Sequence, residues 1–125
     1  MNSTQRFEHK VVIVTGAAQG IGRGVALRIA QEGGRLVLAD RSDLIQAVLA
    51  EIKALGALAI AVETDLETYA GAESVVSHAI AEYGRIDVLI NNVGGAIWMK
   101  PFQEFSEEEI IQEVHRSLFP TLWCC

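Results

Sequence analysis

Cysteine is nearly absent from this chain: two in 125 residues, Cys124 and Cys125, adjacent at its end. Adjacent cysteines rarely bridge, and no C-x-x-C or Cys/His ligand spacing occurs, which excludes a disulfide scaffold and a thiolate metal site. Both thiols are expected to be free and buried. Histidine is equally sparse; His9, His78 and His115 are scattered, so no metal is assigned. Basic residues are outnumbered, 10 Lys and Arg against 16 Asp and Glu, for a net charge of −6. Binding to a phosphate backbone needs a basic face, so nucleic acid is excluded as a partner. No apolar run approaches the roughly 18 residues of a membrane span, and the opening MNSTQRFEHK lacks the apolar core of a signal peptide. A soluble, cytoplasmic chain with no membrane partner is expected.

What is present is apolar material in quantity, 50% of the residues, enough for the core of one domain. Short apolar runs at residues 11–14, 35–39, 58–62 and 86–90 alternate with segments of helical period. The first helix covers 21–31 and stops at Gly33-Gly34. In the second, with Ser42 as its expected N-cap, Leu44, Ile45, Val48, Leu49, Ile52 and Leu55 recur at helical spacing. The third spans residues 69–83, with Val75, Val76, Ala79, Ile80 and Tyr83 on one face. The fourth opens with Ser106 and Glu109 as a capping box, flanked by a Phe105/Ile110 staple. The strands read as continuous rather than alternating, which means burial on both faces. Strict β-α order with right-handed crossovers then gives an α/β fold, a doubly wound parallel sheet with strand order 3-2-1-4. Its fourth strand would be an uncovered apolar edge.

The densest signal is KVVIVTGAAQGIG, residues 10–22: an apolar strand followed at once by Gly16, Gly20 and Gly22 where a helix opens. Glycines there let a phosphate approach the backbone, and the helix N-terminus adds partial positive charge. The spacing is G-x-x-x-G-x-G rather than G-x-G-x-x-G, and a purely structural turn is the alternative. Thr15 and Gln19 are the polar side chains able to brace it. Asp40 closes the second strand, where a carboxylate can accept hydrogen bonds from an adenosine ribose. A 2′-phosphate would meet its negative charge, so NAD is expected over NADP, with the neighbouring Arg41 as the feature that would serve NADP. The plainer alternative for Asp40 is a solvated strand-end charge. Asp65 and the pair Asn91-Asn92 end the third and fourth strands on the same rim, although Asn91 could simply form a turn.

Together TGAAQGIG, the Asp40 strand end, Asp65-Leu66 and NNVG resemble the short-chain dehydrogenase/reductase family. The family form of the last motif is NNAG, so Val93 is a mild departure. Within the family, NNVGGAIWMKPF and HRSLFPTLWCC are similar to the benzoate cis-diol dehydrogenases of bacterial aromatic degradation. The resemblance covers essentially the whole chain and implies a single NAD(P)-binding Rossmann domain over residues 1–125. It implies Gly16, Gln19, Gly20, Ile21 and Gly22 at the pyrophosphate of NAD, and Asp40 at the adenosine ribose. Asp65 and Leu66 would lie at the adenine, and Asn92 and Gly94 beside the nicotinamide-side ribose. The implied reaction is hydride transfer from a small cyclic diol carboxylate to NAD, with decarboxylation to a catechol. A homo-oligomer, with the fourth helix against a partner subunit, is implied as well. A dehydrogenase for another alcohol and a non-catalytic nucleotide-binding fragment remain as alternatives.

The family transfers protons with a Ser and with a Tyr and Lys spaced Y-x-x-x-K, the cation lowering the Tyr pKa. Neither Tyr69 nor Tyr83 has a Lys four residues on; Glu73 and Asp87 stand there. The family's further active-site Asn falls at Ser117, the one catalytic position this chain offers. Pro120 cannot donate to the Arg116 carbonyl and should kink the helix. That kink would free the Arg116 carbonyl for a water. Trp98, Met99 and Phe102 either line a substrate pocket or belong to core or interface, while Ile111, Val114 and Leu118 are expected in the core. The last residues, 122–125, are apolar and inside a helical pattern, without a C-capping glycine. A chain truncated within the fourth helix, folding poorly alone, is therefore expected. The purified 125-residue chain should reduce no NAD when given the diol, and measurable reduction would contradict this.

Overall fold

Residues 4–125 are described by the computed structural model. Strands and helices alternate as β1 (Val11–Thr15), α1 (Gly20–Gln31), β2 (Arg35–Asp40), α2 (Ile45–Ala54), β3 (Ala59–Glu63), α3 (Tyr69–Tyr83) and β4 (Val88–Ile90). A short 3-10 turn at Phe102–Glu104 leads to α4 (Glu107–Ser117) and α5 (Phe119–Cys124). The strands form one parallel sheet in the order β3-β2-β1-β4, as the alternation of apolar runs and helices predicts. Val12 pairs with Leu36 on one side and Val88 on the other, so β1 is central and every one of its residues is buried. β4, the edge strand, is only half-buried.

Side-chain alternation sorts the sheet into two faces. Val12, Val14, Leu36 and Leu38 pack against Ala26 and Ile29 of α1 and Ile45, Val48 and Ile52 of α2. Val11, Ile13, Val37 and Ala39 meet Ala72, Val75 and Ala79 of α3, and Trp123 of α5 closes over the same face. Small residues on α3 bring its backbone close to the sheet.

Helix ends follow local chemistry. The Ser106 hydroxyl accepts from the Glu109 N–H at 3.2 Å while the Glu109 carboxylate accepts from the Ser106 N–H at 2.9 Å, completing the capping box. Thr68 caps α3, accepting from the Gly71 N–H at 3.0 Å. Ser42 does not cap α2 itself. Its hydroxyl takes the Leu44 N–H, and a tighter turn with i to i+3 bonds from Ile45 and Gln46 precedes the α-helix. The fourth helical segment is two helices: Pro120 has no N–H to give the Arg116 carbonyl, and the chain breaks at Leu118 (φ −106°) before α5 begins.

The core expectation fails on the outer surfaces. Ile111 and Leu118 are 50% and 48% exposed, because α4 packs along α5 rather than on the sheet. Ile80 is similarly exposed, since the buried stripe of α3 is the small-residue line Ala72, Val75 and Ala79. Of the two thiols, Cys124 is half-buried and Cys125, the last residue, is exposed.

The N-terminal arm is anchored by Glu32, a carboxylate buried at the end of α1. Arg6 Nε and Nη2 donate to its two oxygens at 2.5 and 2.7 Å, and Arg28 Nε adds a third bond at 3.0 Å. The Arg6 hydrogen bonds, with help from Arg28 against the cost of desolvation, push the Glu32 carboxyl from its ordinary 4.5 down to about 2. A depressed folded pKa stabilises above the unfolded value and loses that contribution as pH falls towards the folded one. Urea unfolding should thus show Glu32→Gln less stable than the wild type at pH 7. The difference should shrink as pH falls from about 4.5 towards 2. A gap that stays constant across that range would contradict the assignment.

Candidate functional site

At the carboxyl ends of the strands, several turns meet around Thr15 and Gly16. The buried Thr15 hydroxyl donates to the Ile90 carbonyl at 3.2 Å and accepts from the Asn92 and Val93 N–H groups at 2.9 and 3.2 Å. One hydroxyl thereby ties the end of β1 to the end of β4. Gly16 (φ +66°) donates its N–H to the Ala39 carbonyl at 2.8 Å, and its own carbonyl accepts from the Asn92 side-chain amide at 3.2 Å. Gly22, in the first turn of α1, lies against that same carbonyl so closely that a Cβ would overlap it. Gly20 (φ +60°) has open space where a side chain would be. α1 opens without a side-chain cap from Gln19 and without an acidic residue in its first turn.

Asp40 occupies the end of β2. Its two carboxylate oxygens accept from the Ala18 and Ser42 N–H groups at 3.1 and 3.0 Å, and each keeps a further lone pair. It therefore braces the glycine turn as well as lining a cleft of about 280 Å³. Of the residues singled out from the sequence, Gly16, Gln19, Asp40, Asp65, Leu66, Asn92 and Gly94 all line this cleft. Gly22 supports it from beneath, while Gly20 and the 78% exposed Ile21 stand where α1 opens. Asp65 accepts from the Glu67 N–H at 2.9 Å, Leu66 is buried, and Gly71 presses α3 onto the Asp65 carbonyl.

Thr64, Glu67 and Arg116 were not anticipated at the cleft. Glu67 Oε2 lies 3.4 Å from Arg41 Nη1 and 3.5 Å from Arg116 Nε. Those partners are remote in sequence, and no local motif signals the pairing. Ser117 is outside the cleft lining; its hydroxyl donates to the Gly95 carbonyl at 3.0 Å. Trp98 stacks edge-on against Phe105 with Lys100 over both rings, whereas Met99 and Phe102 are 93% and 74% exposed. Lys100 also hydrogen-bonds Glu109, holding that carboxyl below its usual range. Tyr83, at the far end of α3, is pushed above its ordinary pKa by burial, the wrong direction for a base. Among the described residues no cluster of metal-ligating side chains occurs. The arrangement suits an extended ligand with an anionic group at the free N–H groups of α1, hydroxyls at the Asp40 carboxylate and an apolar ring at Leu66.

Residues 10–125 match the family model for short chain dehydrogenase. The chain is 97% identical over 125 residues to the 1,6-dihydroxycyclohexa-2,4-diene-1-carboxylate dehydrogenase of Acinetobacter baylyi, covering 100% of this chain and 48% of that protein. It is 54% identical over 121 residues to a protein of the same description from Pseudomonas putida, covering 97% of this chain and 45% of that one. Among solved structures it resembles a 3-ketoacyl-(acyl-carrier-protein) reductase from Brucella melitensis complexed with NADH. There the TM-score is 0.85 at 30% identity, over 94% of this chain and 48% of the other. The chain spans about half the length of the curated relatives it matches.

Two glycines of α1 make the turn's constraint testable. Gly22→Ala should cost about 1–3 kcal/mol in urea unfolding, because its methyl would drive Gly16 away. Gly24→Ala, with nothing within 4 Å, should stabilise by about 0.5–1 kcal/mol. Equal effects at the two positions would contradict the close approach.

Proposed function

We propose, because the chain belongs to the short-chain dehydrogenase family, that its cleft binds NAD and forms the cofactor-binding half of a dehydrogenase. The substrate is a cis-dihydrodiol carboxylate, a reading supported by the name of the Acinetobacter relative, a 1,6-dihydroxycyclohexa-2,4-diene-1-carboxylate dehydrogenase; its oxidation to a catechol with loss of carbon dioxide, in aromatic-compound degradation, is part of the proposal. The observation that carries it is α1, which opens without a side-chain cap or an acidic first turn beside the cleft lined by Gly16, Gln19 and Asp40; α2 is uncapped too, but its start does not line that cleft. Uncapped N–H groups at a glycine turn are the partners a pyrophosphate needs.

Gly16, Gln19, Gly20, Ile21 and Gly22 hold the pyrophosphate in this reading. Asp40 takes the adenosine ribose hydroxyls on its remaining lone pairs, and its charge repels a 2′-phosphate. Asp65 and Leu66 receive the adenine, Asn92 and Gly94 the nicotinamide-side ribose. Bound NAD would supply the acceptor for the hydride of the ring carbinol. Ser117 stands at the family's Asn position as a positioning residue at the Gly95 carbonyl. The proton-transferring Ser, Tyr and Lys are assigned to the half of the relatives' length that this chain does not span.

The exposed Ile111 and Leu118 support a homo-oligomer. Among the described residues no helix is long and apolar enough to cross a membrane, which is compatible with the cytoplasm. A second reading, nucleotide binding with no chemistry by this chain, is favoured by Glu73 and Asp87 in the places of a lysine four residues after Tyr69 and Tyr83. Calorimetric titration with NAD tests the shared element. Asp40→Ala should bind at least about tenfold more weakly than the wild type, corresponding to the roughly 1.4 kcal/mol of a lost charged hydrogen bond. Equal affinity would remove Asp40 from the site.

A further inference from the structure

An acidic residue at the end of β2 disfavours a 2′-phosphate, but here the very next residue is an arginine that would attract one. Asp40 alone therefore does not explain a preference for NAD. Glu67 alters the balance. Its carboxylate reaches Arg41 Nη1 at 3.4 Å and Arg116 Nε at 3.5 Å, bridging the end of β2 to α4 across the adenosine end of the cleft. Its side chain is 26% exposed, against 59% for Arg41, so the carboxylate is the better-held partner.

Local structure fixes where Glu67 stands. Its N–H donates to Asp65 Oδ1 at 2.9 Å, the buried Leu66 anchors the residue before it, and Thr68 caps α3 immediately after. Arg116 needs this carboxylate, because its Nε is buried and makes no hydrogen bond. Glu67 is thus held in place from both sides, and Arg41 is the free-ended member that comes to it.

We infer that Glu67 is a specificity-determining residue, which secures the preference for NAD over NADP by engaging Arg41 in an ion pair. The inference rests on the cofactor reading above. A 2′-phosphate would have to draw Arg41 away from Glu67 while lying near two carboxylates, Asp40 and Glu67. The neutral ribose of NAD meets neither cost. Removing the Glu67 charge relieves both, leaving Arg41 available for the phosphate.

The test is a set of dissociation constants for NAD and NADP, measured by calorimetry or competition on the wild type, Glu67→Gln, Arg41→Gln and the double variant. Glu67→Gln should lower the NAD-over-NADP preference about tenfold, chiefly through tighter NADP binding, in keeping with a modest exposed ion pair plus one removed repulsion. Arg41→Gln in that background should abolish the gain, a coupling that independent sites would not give. A merely structural Glu67 would shift both affinities together and leave their ratio fixed, which overturns the inference alone if NAD still binds in an Asp40-dependent way. Failure of the wild type, with its fold verified by circular dichroism, to bind either nucleotide overturns the cofactor reading and this inference together.

Discussion

The cleft depends on the crowding around one carbonyl, that of Gly16. Gly22 of α1 approaches it with no room for a methyl group, and the Asn92 amide donates to it from the end of β4. The Gly16 N–H is bound to β2 through the Ala39 carbonyl, and the preceding Thr15 hydroxyl is bonded three times, once to Ile90 at the end of β4 and twice to the residues after it. Three strand ends and a helix start are fixed at one point. A side chain at Gly22 would push them apart, and one at Gly16 would be strained at its positive φ and would displace the Asn92 amide, so the glycines serve packing before they serve a ligand.

That junction is affordable because the sheet beneath it is buried on both faces. Val12 and Val14 look to α1 and α2, Val11 and Ile13 to α3 and α5, and the backbone groups of β1 are paired on both sides. The rim can therefore carry groups left without partners inside the chain. α1 begins without a cap, and Asp40 accepts one bond from the glycine turn and one from Ser42 while it lines the cleft with lone pairs to spare. Structure and proposed binding are thus two uses of the same residues, and the bracing role of Asp40 does not compete with its ligand role.

What local chemistry determines was legible in the sequence. The limits of α3, the capping box of Ser106 and Glu109, the strand order and the break at Pro120 all follow from patterns a few residues long. The polar strand ends Asp40, Asp65 and Asn92 share one rim, as parallel strands that end together require, and all three line the cleft. The misses are of two kinds. Ile80, Ile111 and Leu118 are apolar at helical spacing, yet periodicity cannot say whether anything covers a face, and α4 turned out to lean on α5. Glu67, Arg41 and Arg116, like Arg6 and Glu32, are charges brought together by the fold from distant positions, where composition shows only polar residues. Ser42 is an intermediate case: the capping chemistry is right, but the turn it caps is too tight to count as α-helix.

The central claim is that the glycine turn and the three polar strand ends form one nucleotide site. Backbone amide chemical shifts of the isotopically labelled protein, followed during titration with NAD, test it most directly. The account predicts saturable shifts at Gly16, Gly20, Gly22, Asp40, Leu66, Asn92 and Gly94, all fitting a single dissociation constant, with residues at the opposite end of the sheet such as Gly33 and Gly56 unmoved. Shifts confined to the far end, or none at these positions at saturating NAD, would contradict it.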